Sequence, residues 1–367
     1  MGRVLAAGSA ADPIVFTTDE PGAWAPDSTT AGSWAGVRFP WTSETNPESR
    51  FEHCVFEYSK GVGSEPLGGA LSFTGFSKAL VRNCVFRQNA ATYGAAVFCS
   101  YHASPRLVGC VFDGNRAFTA GSVVYNMYAY PDIVACTMTA NHCLNTDIFT
   151  PTGAVHNYIS KPGVNSSILY GNTSYYYEST QILEGKAYYT TFCDVEDGHP
   201  GQGNIDADPL FVGWGEHARA LAPGSPCVNA GTTDTLGLEL PAVGPAGLER
   251  LVGGRLDIGA YESPGWTDVV GPHARLPLLR ACRPNPFRGS TRVSLLIPER
   301  ERVSVRVYHV AGRVVRTLLD GAAGPGEREV VWDGTDDAGR RVSSGVYLLA
   351  LESASRRTET AKLVLLR

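Results

Sequence analysis

Short runs of small apolar residues, broken every few positions by glycine, asparagine or a polar pair, return in register through the first half of the chain. The line HCVFEYS at 53–59 recurs as NCVFRQN at 83–89, GCVFDGN at 109–115 and ACTMTAN at 135–141. This aligns Cys54, Cys84, Cys110 and Cys136 at spacings of 30, 26 and 26. A divergent copy, SSILYGN at 166–172, puts Ser167 in the cysteine slot, and Cys193 follows 26 residues later. A second line runs through Gly69-Ala70-Leu71, Ala95-Ala96-Val97, Gly121-Ser122-Val123 and Gly153-Ala154-Val155, a third pairs Pro105-Arg106-Leu107 with Pro131-Asp132-Ile133, and Asn89, Asn115, Asn141 and Asn172 form a column.

A fixed period in this range marks a solenoid, because one repeat cannot bury its apolar face alone. Three short β-like segments per period of 26 residues predict a three-sided coil whose inward positions alternate with outward ones. Coils of this kind stack into parallel sheets, the right-handed parallel β-helix pattern, with the asparagine column hydrogen-bonding from coil to coil. The pattern changes towards the C-terminus. Val303, Val305 and Val307 alternate with Ser304, Arg306 and Tyr308, a half-buried strand. Further strands are expected over 291–297, 313–319, 328–332, 346–352 and 360–366, with turns at Ala311-Gly312, Gly324-Pro325-Gly326, Asp333-Gly334 and 336–339. That density of antiparallel strands predicts a small immunoglobulin-like sandwich. The fold class is all-β, with a β-helix over 1–262, a linker over 263–280 and a second domain over 281–367.

Composition supports this division. Of 367 residues 41 are glycine and 23 proline, poor material for helices and good material for turns. Residues 280–367 carry 16 Lys+Arg against 10 Asp+Glu, whereas the remainder is net acidic. No apolar run approaches the length of a transmembrane helix, and a net charge of −5 gives no reason to expect nucleic acid as a partner. The opening residues have no signal-peptide n-region, h-region or cleavage site and read as strand and turn from the start. The expectation is therefore that an N-terminal cap and further coils lie upstream.

At this point the chain resembles known families. The coils, with GQGNIDADPLFVGWGEHARALAPGSPCVNAGTTD at 201–234 and GGRLDIGAYE at 253–262, look like the pectin-lyase-like "choice-of-anchor" β-helix proteins of bacterial surfaces. Residues 283–367 resemble the FlgD-like Ig domain and the C-terminal sorting domain of type IX secretion cargo. The motifs are NPF at 285–287, VYHVAGRVVRTL at 307–318, PGEREVVWDGTDDAGRRVSSGVY at 325–347 and the closing KLVLLR. The resemblance implies an extracellular or cell-surface location and the secretion machinery as a partner of residues 281–367.

Candidate chemistry is sparse. The nine cysteines include no CxxC pair and follow the spacing of the fold, so the ladder reads as small apolar filler; a disulfide among Cys99, Cys143, Cys227 and Cys282, or with Cys193, is left open. Asp194, Glu196, Asp197, Asp206 and Asp208 place five carboxylates in fifteen residues, a candidate calcium set through oxygen ligands with a solvated turn as the plain alternative. Thirteen of 16 tyrosines precede residue 190. Tyr125, Tyr128, Tyr130 and the run Tyr175, Tyr176, Tyr177 are candidates for glycan or partner contact, since aromatic rings on a β-surface stack on sugars or pack on a partner. No catalytic residues are assigned. The reading is an adhesive or glycan-contacting surface protein. Its alternatives are a polysaccharide lyase or glycoside hydrolase on the same scaffold, or a purely structural envelope component.

Overall fold

The computed structural model describes residues 3–63, 67–145, 153–175, 180–183, 189–213, 217–222, 224–252, 254–263, 278–297, 301–310, 312–324, 326–353 and 358–366. Most of the expected linker, 264–277, lies outside them. The chain divides into two compact units, 1–210 with 221–264 and 211–220 with 265–367.

The first unit is a parallel β-solenoid. One coil runs through strands Ala79–Arg82, Val85–Arg87, Ala90–Tyr93 and Val97–Ser100, and the next through Arg106–Val108, Val111–Asp113, Arg116–Ala120 and Val124–Met127. Stacking these coils gives four parallel sheets of seven, seven, five and six strands among the described residues. The three segments read from the repeat are three of these sheets. The remaining one is the short stretch after each asparagine, where strands are as brief as Lys60–Gly61 and His142–Cys143.

Single left-handed residues make the corners. His53, Asn83, Gly109, Ala135, Ser166 and Phe192, at φ +49° to +64°, separate the first sheet from the second, and each immediately precedes a member of the cysteine column. That column is continuous. Val55 pairs with Val85, Val85 with Val111 and Val111 with Thr137, so Cys54, Cys84, Cys110 and Cys136 are successive neighbours, as expected. All four are fully buried, and each thiol reaches a carbonyl of the preceding coil, Cys110 to Val81 O at 3.4 Å and Cys136 to Leu107 O at 3.3 Å. Two positions on, Phe16, Phe56, Phe86 and Phe112 stack at 4.7 to 4.8 Å with nearly parallel planes. The Gly-Ala line has a steric cause: a Cβ on Gly69 would lie 2.0 Å from Ala95 O of the following coil.

The asparagine column sits at the next corner, after Gln88, Gly114, Ala140 and Gly171, again left-handed. Asn115 Oδ1 accepts the backbone N–H of Asn89 at 3.1 Å and its Nδ2 at 3.0 Å, while Asn115 Nδ2 donates to Phe86 O and to Asn141 Oδ1 at 2.9 and 2.8 Å. Asn141 and Asn172 repeat the pattern, and Gln181 Oε1 accepts the last amide. All four hydrogen-bonding positions of Asn115 are thus used inside the core.

Residues 225–263 then form a strap that runs back over the stack. Thr232 N–H donates to Ser166 Oγ, Ala260 N–H to Thr137 Oγ1, Arg106 to Gly237 O and Asn83 to Val243 O. Leu256 joins Leu80, Val108, Val134 and Ala135 in an apolar cluster beneath it. Gly259 is required where the strap touches the second sheet, since its φ is +106° and a Cβ there would meet Ile168 Cδ1 at 2.7 Å. A buried charge cluster locks this segment. Arg250 donates to Ala260 O and Gly259 O and lies 3.7 Å from Glu262. Asp257 accepts backbone N–H groups from Asn229 and Ser263. Burial raises Asp257, against the two backbone N–H groups that hold it. Burial, with Asp257 nearby, pushes Glu262 up to about 8.

The second unit is the antiparallel sandwich. Leu278–Arg283, Thr291–Ile297 and Gly326–Trp332 form one sheet; Val314–Ala323, Glu301–His309, Gly345–Ser353 and Thr358–Leu365 form the other. Trp332 and Tyr347 are buried at its centre, 5.0 Å apart and edge to face. The NPF motif clamps the terminal strand: Asn285 Nδ2 donates to Lys362 O and Asn285 Oδ1 accepts Val364 N–H.

Two outcomes are expected. Asn115→Leu strands the Asn89 donors and the Phe86 carbonyl, so urea unfolding of the solenoid should show a loss of about 3 kcal/mol. Glu262 is protonated in the fold up to about 8, far above the ordinary range of a free glutamate. Its contribution to stability is therefore complete only below about 4.5 and is lost progressively as pH rises from there to about 8. Glu262→Gln should unfold like the parent protein below about pH 4.5 and flatten the decline between there and about 8.

Candidate contact surface

The corner between the fourth sheet and the first carries the exposed aromatic residues. Tyr128 and Tyr130 lie here, 37% and 45% exposed. They are not isolated. Trp41, Tyr101, Tyr128 and Tyr158 follow one another along the stack at centroid distances of 5.1, 6.1 and 5.8 Å, and Phe76, His102 and Tyr130 form a second file at 5.2 and 6.0 Å. Trp41, Tyr101, Tyr128 and Tyr158 are each between about a third and three quarters exposed. Gly75 occupies the position of Tyr101 one coil earlier, and Trp41 reaches across this side-chain-free site to stack on Tyr101. In the first file the first two pairs are stacked, at interplanar angles of 30° and 21°, and Tyr158 meets Tyr128 edge to face at 89°.

The backbone under this strip is unusual for its side chains. Trp41, Tyr101, His102, Tyr128 and Ile159 all have positive φ, between +44° and +71°. A bulky residue in this region costs about 1–2 kcal/mol against glycine or asparagine. The corner accepts glycine at Gly75, with φ +76°, so the geometry alone does not demand aromatic side chains.

Tyr125 sits apart from the strip on the fourth sheet, half-buried between Tyr93, Phe98 and His156. Burial raises its phenol, and burial likewise lowers His156 to about 4. At the strip, partial desolvation and the adjacent Tyr158 raise Tyr128. Tyr175 is exposed elsewhere on the solenoid, and Tyr176 and Tyr177 lie outside the described residues. Sequence reasoning missed Trp41, Phe76, Tyr101, His102, Tyr158 and Ile159. The signal was present: Phe76, Tyr101, His102, Tyr128, Tyr158 and Ile159 each fall eight or nine residues ahead of Cys84, Cys110, Cys136 or Ser167.

Of the five acidic residues, Asp206 is exposed at the surface and the other four have separate tasks. Asp194 is fully buried, accepts Ala207 N–H and the Cys227 thiol, and is raised by burial to about 6. Glu196 accepts Gly171 N–H and Gln181 Nε2, and Asp208 accepts Leu210 N–H in a local turn. Asp197 occupies a left-handed turn position. Among the described residues no group of three His, Cys, Asp or Glu side chains converges on a point where a metal would sit. The eight cysteines described, all but Cys282, are free thiols and buried.

These features define an all-β protein in which a parallel β-solenoid is followed by an Ig-like sandwich. Residues 287–357 match the FlgD Ig-like domain family. A solved structure with local similarity is PorZ, described as an essential bacterial surface component of the type-IX secretion system of Porphyromonas gingivalis. The likeness is 24% identical, covers 24% of this chain and 11% of that one, and has a TM-score of 0.18. No curated protein matches the chain.

Stability should respond little to the strip. Tyr128→Asn loses ring stacking worth about 0.5–1.5 kcal/mol and relieves left-handed strain of similar size. Its unfolding free energy should lie within about 1 kcal/mol of the parent protein's.

Proposed function

We propose that the protein is a cell-surface or extracellular β-helix protein with an adhesive or glycan-contacting role, exported and held through its C-terminal Ig-like domain. The observation that carries the contact role is the exposed aromatic strip, which spans successive coils on side chains that the corner geometry disfavours. Exposed aromatic clusters of this extent mark interaction surfaces more often than they serve a core. The export role is supported by the family match over 287–357 together with the motif order running from NPF to the terminal strand. That strand is built into the sandwich by Asn285 and by pairing with Gly345–Ser353, so a receptor would read a folded module and not a loose tail.

The export role is tested by localisation in a host that carries type IX secretion. The full chain, behind a supplied signal peptide, should reach the surface, and a chain ending at Ser263 should not. Equal display of both would assign the Ig-like domain a structural role.

A further inference from the structure

We infer that the aromatic strip pairs with the strip of a second copy of this chain, the two solenoids lying antiparallel about a twofold axis at the third of five successive corners. This rests on the reading of the strip as a contact surface and names its partner. The corners lie at 41–48, 75–78, 101–105, 128–131 and 158–162, one to each coil. The charges around them choose the orientation. Glu44 and Glu48 belong to the first corner, Lys78 to the second and Lys161 to the fifth, while Asp132 directly follows the fourth. The register of the first sheet puts Glu48, Lys78, Ser104, Tyr130 and Lys161 in one row. When one strip is reversed on the other, the first corner meets the fifth of the second copy and the second corner meets the fourth. The acids of the first corner then face Lys161 of the second copy, and Lys78 faces its Asp132. Glu48 is already held by Arg50 of its own chain at 3.1 Å, so Glu44 carries most of that contact. Beside the axis, Arg106 is paired with Glu239 and adds no net charge. Parallel pairing would set every one of these charges against its own kind. The apolar groups match under the same reversal: Trp41, 71% exposed, meets Tyr158 and Ile159, Phe76 meets Tyr128, and Tyr101 meets its own copy. A surface that complements itself on rotation is what a twofold contact requires, and the coil spacing, equal on both sides, keeps the match over the whole length. Five coils span only about 20–25 Å, so the contact is smaller than a permanent dimer needs and gains strength where many copies face each other on two surfaces.

The experiment follows self-association of the full chain by sedimentation over a concentration series. The parent protein should form a dimer that weakens as salt is added. Lys161→Glu sets acid against acid at both symmetry-related contacts and should weaken the dimer about tenfold. Glu44→Lys should do the same from the other side. The two changes together, Glu44→Lys with Lys161→Glu, should return the affinity to that of the parent, a rescue that only contact between the first and fifth corners of two copies produces. All three variants change exposed side chains and should melt like the parent protein. A chain that stays monomeric at every concentration overturns the inference, as do single reversals without effect or a double reversal that binds no better than either single. If the chain stays monomeric, attachment of displaying cells to a surface free of this protein separates the two claims. Should Trp41→Ser with Tyr128→Ser abolish that attachment, the contact surface stands and the second copy is wrong. If attachment is untouched, both fall.

Discussion

Every coil hands an amide to its neighbour. The carbonyl oxygen of each column asparagine accepts two donors from the coil before it, and its NH2 group reaches backward to a backbone carbonyl and forward to the next asparagine. An unpaired amide in this dry interior would cost as much as several good contacts contribute, so a coil that slips by one residue loses the whole set. The column therefore fixes where each coil turns and, with it, the phase of every other column. The buried thiols and the stacked phenylalanines align because they lie at constant distances along the chain, five and three residues, ahead of an asparagine that cannot move.

The strap depends on the same register. Its hydrogen bonds go first to Ser166, then to Arg106 and Asn83 on earlier coils, and its end returns beside its start to bond Thr137. A segment without regular strands can lie along the stack only because those partners stand in line. Arg250, Asp257 and Glu262 finish it with two carboxyls and one guanidinium under cover, a composition that stays neutral by keeping a proton on Glu262. Burying charge in this way stabilises less than apolar packing would and makes one arrangement of the strap much better than its rivals.

Much of the scaffold was legible in the sequence, because columns with identical residues at equal spacing have a single physical explanation. Cys84, Cys110 and Cys136, or Asn89, Asn115 and Asn141, need no coordinates to be aligned. The sandwich was equally open to reading through Val303, Val305 and Val307 and the turn residues around Asp333. The contact strip was not. Its members differ in type from Trp to His, and extra residues between Trp41 and Cys54 hide the common phase at the first coil. Tyrosine runs drew attention to adjacent residues, whereas the structure joins residues a whole coil apart. The short strands after the asparagines were hidden for a related reason: two-residue strands leave no alternation to detect. Lys60 is a further case, a buried ammonium satisfied by Asp27, Thr29 O and Ala31 O from a loop distant in sequence.

The asparagine column has a direction, because from side chain to side chain each NH2 group donates to the oxygen of the next amide and never to the one before. It starts on Ser59 and is terminated by Gln181, and between them each link is chemically the same. Such a chain has interchangeable middle links and distinctive end pieces. A duplication or deletion of one whole repeat in the gene would add or remove a link without leaving any amide unmatched, since the flanking coils meet the same partner as before. The length of this solenoid, and with it the length of the surface it presents, is thus open to change by recombination in steps of one coil.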